Sequence, residues 1–396
     1  MTKKKKSSRS KNKRQQQQQQ QQRGASGELG FVAAAAPGCH VIHDDGSAMP
    51  APWIIGAERF DAAVFGCEQV PELSFDWEER LLTFVNQTPE LLSFYVSVAH
   101  RCLDASNQPL ECAYSCNEHG ERQLMTTFIV VLRPKRVIDV CFVELSEQSA
   151  LDGSELRVWS DVVPLAHAPP RIEHLLQATT ASSSTSSSSC ESSATVAAAA
   201  AAADIRGRAA VQLGFPLGGA GPFLCSQGFG GRFTHFFPGT LYAIDLNCPI
   251  GTPVVAVGDG VVTQLTTNSN LASGIDIRNL FLWNSITIRL DASGVDEAGA
   301  QVPVFVEYVH IEGGSAVVAV GERVAAGQQL CRSGQAGFCP VPHLHLQVHD
   351  DSSPKAPTVP YCFASCDPAT EPFVPIAGRW YSRRGEEPAP EKSEPS

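Results

Sequence analysis

The chain has 396 residues, 43% of them apolar and 18% charged, which is ordinary globular material with room for two separately cored domains. Of the net charge of −11, the first 23 residues contribute nine Lys and Arg and no acid, so the remainder carries −20; a body that acidic argues against a phosphate-backbone partner. No apolar run approaches the ~20 residues of a membrane span, and no secretory apolar core follows the first methionine.

Residues 1–30 begin with MTKKKKSSRSKNKR and continue into eight glutamines. Such a segment has nothing to bury and is expected to be disordered. It reads either as a solubilising tail or as a basic signal of the nuclear type, so the compartment stays open. Residues 31–177 hold a series of strand-like runs, LLSFYVSVA from Leu91, TTFIVVL from Thr126, VIDVCFVEL from Val137 and ELRVWSDVV from Glu155. They are rich in β-branched and aromatic residues and separated by turn-forming NQTP, NEHG and DGS, which predicts a β-sandwich-like domain. No catalytic cluster assembles in it. Cys112, Cys116 and His119 in CAYSCNEH have metal-like spacing but lack a fourth ligand, and a hairpin is expected there. The sequon at Asn86 is weak because a proline follows Thr88. Thirteen cysteines without a repeated CxxC pattern do not imply a complete disulfide framework.

Residues 178–207 change character to a serine-rich run ending in seven alanines, the composition of a flexible linker. After it, residues 208–380 return to strands and Gly-rich turns: PVVAVGDGVVTQL, NSITIRL, PVFVEYVHI and HLHLQVHD alternate in period two, with no long amphipathic helix. Residues 381–396 are expected to be a disordered tail. The predicted fold class is therefore all-β, in two domains.

The second domain places histidines on strands. In VPHLHLQV, His343 and His345 are two apart, so both rings lean from one face over one small volume. Two imidazoles so placed suit a metal, a proton relay or both. His310 lies in VEYVHIE and His235 in GGRFTHFF. Asp245 in LYAIDLNCPIG puts a carboxylate on one face of an apolar strand, where it needs a partner.

Three ordered stretches carry a family resemblance: YAIDLNCPIGTPVVAVGDGVV, then EYVHI, then VGERVAAGQQLCRSGQAG leading to PHLHLQV. They resemble, in order and over about 160 residues, the lysostaphin-type (LytM-like) zinc metallopeptidases, whose duplicated-hybrid-motif domain is a β-sheet peptidase core. The resemblance implies His235, Asp245 and His345 as ligands of one Zn2+, and His310 with His343 as the catalytic pair. It also implies hydrolysis of a peptide or peptidoglycan substrate by metal-activated water. Two imidazoles and a carboxylate leave one tetrahedral position open, as catalytic zinc requires.

The chain departs from the commoner family pattern, whose first histidine stands four residues before the aspartate. Leu241 occupies that position, and His235 lies ten residues before Asp245. A looped FFPGTLYA would return His235 to the metal, and SQGFGGRFTH resembles a branch of the family with SQGF and an upstream histidine before YAID. An extra NSNLASGIDIRNLFLW lengthens a loop that would border the groove, so the cleavage specificity is not readable. Two other classes of function stand beside the enzyme: a degenerate member that binds peptide or cell wall, and an interaction protein working through its tail and first domain.

Overall fold

The strand His343–His349 is the central strand of the largest sheet, and its sequence HLHLQVH shows how the site is presented. Leu344, Leu346 and Val348 point into a hydrophobic core, so His343, His345 and Gln347 must project from the opposite face. In the computed structural model this strand is the fifth of nine antiparallel neighbours. The order is Arg323–Val324, Gly260–Thr266, Ser285–Leu290, Phe305–Val309, His343–His349, Ile244–Asn247, Phe223–Gln227, Trp380–Ser382 and Gly385–Glu387. The register sets His345 between Asp245 on one side and Val309 on the other. One row of paired positions thus sets Asp245 beside His345, with His310 immediately after the third member, Val309.

The described residues are 36–44, 55–59, 72–76, 79–132, 134–144, 156–163 and 211–390, apart from 220, 232, 238, 268–270, 296–300 and 354–355. The expectations for residues 1–30 and for the linker at 178–207 lie outside them. Apart from one 3-10 turn, Ile277–Asn279, the described elements are all strands, and the fold is all-β. Among the described residues no helix is long and apolar enough to cross a membrane. All eleven described cysteines are free, eight of them buried.

The runs before residue 164 form two five-stranded sheets. In one, Arg122–Leu132 pairs with Cys39–Asp44, Leu91–Val98 and Ala113–Cys116, and Leu91–Val98 pairs in turn with Leu156–Val163. In the other, Arg136–Glu144 pairs with Ile55–Arg59, Leu81–Asn86 and Arg101–Leu103, and Leu81–Asn86 pairs with Glu72–Asp76. Leu92, Phe94, Val96, Phe128 and Val130 from the first sheet share a core with Leu82, Phe84, Ile138 and Val140 from the second. The Asn86 side chain is buried and donates to the carbonyls of Glu90 and Leu132, both at 2.8 Å, so it holds a turn.

One expectation needs correction. The tail predicted to be disordered from residue 381 continues the large sheet as a hairpin, Trp380–Ser382 with Gly385–Glu387. Tyr381 is buried against Phe373, rings stacked at 5.6 Å, and pairs with Phe223. The charged, proline-rich composition concealed an aromatic anchor.

The core of the large sheet also contains a polar tie. The hydroxyl of the fully buried Tyr308 accepts the Val257 N–H at 2.9 Å. Tyr308→Phe leaves that N–H buried without an acceptor, at a cost of about 1–3 kcal/mol. The urea midpoint is expected to fall accordingly with the slope unchanged, and an unaltered midpoint would assign Val257 another acceptor.

Candidate metal centre and its neighbours

The site is built where the register row reaches the polar face of the large sheet. Asp245 and His345 are direct cross-strand partners, and Nδ1 of His345 lies 2.9 Å from Oδ1 of Asp245. His235 enters from the turn region before Ile244–Asn247. Its Nε2 lies 3.2 Å from Nδ1 of His345 and 3.3 Å from Oδ1 of Asp245. The looped segment does bring His235 to the aspartate. Leu241, which stands where the commoner pattern has histidine, is buried, and its carbonyl accepts Gly230 N–H at 2.8 Å.

The outward hydrogen bonds decide which ring nitrogens carry protons. Nδ1 of His235 faces the carbonyl of Gly228 at 3.1 Å; a carbonyl only accepts, so Nδ1 is protonated and Nε2 keeps its lone pair. Gln347 donates from Nε2 to the Glu307 carboxylate at 2.8 Å. Its Oε1 therefore faces Nε2 of His345, at 3.0 Å, and that nitrogen must be the donor. Nδ1 of His345 is left with a lone pair. Asp245 spends Oδ2 on Gln227 Nε2 at 2.8 Å.

Three acceptor atoms consequently face one another at 2.9–3.3 Å. Tetrahedral zinc with bonds of ~2.0–2.1 Å separates its ligands by roughly 3.3 Å. The donor set and its spacing fit such an ion, since only positive charge among these lone pairs relieves their mutual repulsion. All three residues are buried. Burial holds His235 below the usual imidazole range, against the pull of Asp245. Burial alone would raise Asp245, but the His235 and His343 imidazoles beside it hold its carboxyl well below the carboxylate range.

Gln227 is the residue that sequence reasoning passed over. A β-bulge between Cys225 and Gln227 turns its side chain to the face of Asp245. There Oε1 accepts the backbone N–H groups of Phe233, Thr234 and His235 at 3.1, 2.8 and 3.3 Å. One amide thus holds both the aspartate and the loop carrying His235. Nothing in the local pattern announces a bulge, although Gln347, two residues after His345, was readable as a same-face neighbour.

His343 and His310 flank the triangle. Nδ1 of His343 donates to the carbonyl of Val341 at 2.7 Å, and Nδ1 of His310 to that of Ala336, also at 2.7 Å. Both rings therefore present Nε2 inward, and that of His343 lies 3.5 Å from Oδ1 of Asp245. The two ring centroids are 4.7 Å apart. His310 sits at φ +63°, left-handed backbone that is uncommon outside glycine and concentrates at functional sites. Its carbonyl accepts Gly334 N–H at 2.8 Å, and at Gly334 a Cβ would lie 2.7 Å from the Glu312 backbone nitrogen, so no side chain fits. Burial, with His343 and His345 adding to it, pushes His310 well below the usual imidazole range. For His343 burial is outweighed by Cys339 and Asp245, which raise it to about 9.

Cys339 was not anticipated from the sequence. Its Sγ lies 3.4 Å from Nδ1 of His343, and His310, Cys339 and His343 form a second buried group whose ligand atoms lie within 4.8 Å of one another. By contrast, Cys112, Cys116 and His119 do not come together as a ligand group, and Ala113–Cys116 is one arm of the expected hairpin with Arg122–Leu132.

The comparisons with known proteins bear on the same region. The model of peptidase family M23 matches residues 239–357. An uncharacterized metalloprotease of Buchnera aphidicola is 30% identical over 105 residues, covering 26% of this chain and 22% of that protein. The peptidoglycan DD-endopeptidase ShyC of Vibrio cholerae is 27% identical over 157 residues, covering 38% and 30%. The chain thus spans less than a third of the length of either relative. The catalytic domain of lysostaphin from Staphylococcus simulans is similar at 25% identity and a TM-score of 0.22, over 38% of this chain and 88% of that one. Asp245, His310, His343 and His345 fall inside the matched stretch and His235 just before it; residues 239–357 are a domain of peptidase family M23, the family that the ordered motifs of the sequence resemble.

Proposed function

We propose that the chain is a zinc-dependent endopeptidase that hydrolyses peptide bonds, with peptidoglycan cross-links as its substrate class. The observation that carries this reading is the set of three converging acceptor atoms on His235, Asp245 and His345, with two further imidazoles beside them whose Nε2 atoms are free to exchange protons. A peptide-binding module would need neither. The relative that acts on peptidoglycan, ShyC, supports the substrate class at the level of the family.

His235, Asp245 and His345 would hold the ion. When bound, zinc supplies Lewis acidity, polarising a carbonyl and making water acidic enough to act as a nucleophile near neutral pH. The protein's own residues do the rest. Oriented by the carbonyls of Ala336 and Val341, His310, which burial keeps neutral, accepts a proton at Nε2 from the attacking water, and His343, which Cys339 and Asp245 keep protonated, gives one from Nε2 to the leaving amine. In their protonated form they donate hydrogen bonds to the oxyanion that develops on the scissile carbonyl. Gln227, Gln347 and Glu307 fix the ligands from outside. Burial of the cluster keeps bulk water from screening these charges.

The decisive experiment is digestion of purified bacterial sacculi by the full chain, read as newly released amino termini, with and without a zinc chelator. Release that stops with the chelator and returns with zinc is expected. A chain that holds zinc stoichiometrically yet releases nothing would turn the reading to a binding module.

The two kinds of histidine separate by metal content. His235→Ala and His345→Ala are expected to lose zinc to a similar degree, measured by elemental analysis. His343→Ala and His310→Ala are expected to retain it while turnover drops ~10²–10⁴-fold. Equal zinc loss in all four variants would erase the distinction between ligands and proton carriers.

Gln227→Ala is expected to weaken zinc binding by ~10–100-fold, the usual effect of removing a residue that orients ligands. Titration against a chromophoric chelator measures it. Wild-type affinity in this variant would show that the bulge positions neither ligand.

A further inference from the structure

The strand Leu91–Val98 is buried along its whole length. Its inward residues Leu92, Phe94, Val96 and Val98 belong to the core shared with the second small sheet. The other face, Leu91, Ser93, Tyr95 and Ser97, would meet water in an ordinary two-sheet domain. Instead Leu91 and Tyr95, with Ile129 and Val131 of the paired strand, form an apolar cluster with Phe236, Ile275, Ile277 and Phe338 of the large-sheet region. Phe236 follows His235 directly, and Phe338 precedes Cys339.

From this contact we infer that the N-terminal sheet is a working part of the peptidase site, with Tyr95, Ser97 and Thr127 as positioning residues for His310 and His235. As far as it concerns turnover, the inference rests on the peptidase reading above.

The polar half of the contact is a closed set of hydrogen bonds. Ser97 and Thr127 are register partners, fully buried, with hydroxyls 2.8 Å apart. Thr127 donates to the carbonyl of Ile275 at 2.6 Å, and Ser97 accepts the N–H of Ile277 at 2.9 Å. Next to it, Ser115 donates to the carbonyl of Ser273 at 2.7 Å and accepts Asp276 N–H at 2.9 Å. Residues 273–277 are thereby tied to the outer face of the sheet at both ends.

The same segment has a second side. Ser273 bridges both Cys116 and Ala336, and Gly274 bridges Cys339. Cys339 N–H donates to the Gly274 carbonyl, and Gly337 N–H to that of Ala272, both at 2.9 Å. Gly274 has φ +89°, and a Cβ there would lie 2.8 Å from the carbonyl oxygen of Tyr114, so the strap passes too close for any side chain. Ala336, at the far side of the strap, supplies the carbonyl that fixes the Nδ1–H of His310. A path therefore runs from the Thr127 hydroxyl to the Ile275 carbonyl, and through the backbone pairing of 272–274 with 336–339 to the carbonyl that sets the tautomer of His310.

Tyr95 reaches the remaining loop. Its ring stacks on Phe237 at 6.1 Å and meets Phe338 edge-on at 6.5 Å, while Phe233 stacks on Phe338 at 6.0 Å. These rings bracket His235. The side chains that brace the ligand loop and the proton-handling loop thus come from a part of the chain outside the family match at 239–357.

The test uses the full chain with Thr127→Val, Ser97→Ala and the conservative Thr127→Ser. The first readout is the ring Nδ1–H resonance of His310 in 15N–1H spectra, assigned by its loss in His310→Ala; it needs no turnover. In the parent it is expected to be downfield and slowly exchanging. Thr127→Val and Ser97→Ala are expected to speed its exchange at least tenfold, while Thr127→Ser restores it. The second readout is turnover on sacculi, where kcat is expected to fall about tenfold with KM within twofold and zinc content unchanged.

An unchanged His310 resonance in folded Thr127→Val and Ser97→Ala would overturn the inference. So would a loss of kcat that merely tracks the unfolded fraction. If the parent chain releases nothing from sacculi, the peptidase reading fails while the resonance still decides whether the sheet positions His310. Should Thr127→Val not fold, Ser97→Ala and Tyr95→Leu carry the same comparison, Tyr95→Leu being read on zinc affinity, which is expected to weaken at least threefold through the His235 loop.

Discussion

Three lone-pair atoms held 2.9–3.3 Å apart repel one another, and the surroundings of His235, Asp245 and His345 hold them together against that repulsion. Each of the three uses its other polar atom outward: His235 on the Gly228 carbonyl, Asp245 on Gln227, and His345 on Gln347. Buried acceptors with no positive charge among them are costly. The bulge at Gln227, the looped stretch after His235 and the cross-strand placement of Asp245 and His345 are the means by which the backbone maintains the arrangement. His310 contributes strain of its own, an imidazole on left-handed backbone held by Gly334 on one side and Ala336 on the other.

Much of this is legible in the sequence. Period-two alternation in HLHLQVH forces both histidines to one face, and the apolar partners Leu344 and Leu346 do occupy the core. His235, by contrast, depends on a loop whose path no propensity specifies. It is brought home by an amide, Gln227, whose relevance appears only once the bulge is seen. Strand positions follow from side-chain period, whereas loop positions follow from contacts that join distant parts of the chain.

The same limit explains the other misses. Ser93, Tyr95 and Ser97 alternate with apolar residues as the wet face of a sheet would, so composition alone marks them as surface. They are buried because another part of the chain covers them. The hairpin at residues 380–387 was hidden by its charged surroundings. Local sequence reports what a segment can do with its own two faces; it does not report what will be laid on them.

The hydroxyl of Ser97 and the backbone of Ile277 lie 180 residues apart in the chain. Contacts of that separation make for slow folding, because the ordering of the intervening chain precedes their reward. During synthesis at ~5–20 residues per second, the outer face with Leu91, Tyr95, Ile129 and Val131 emerges well before its cover at Phe236, Ile275 and Phe338 exists. Until that cover is made, nothing in the later chain is available to bury these residues. The N-terminal sheet is thus made first but covered last, and the order of synthesis bears on how the group of His235, Asp245 and His345 is assembled.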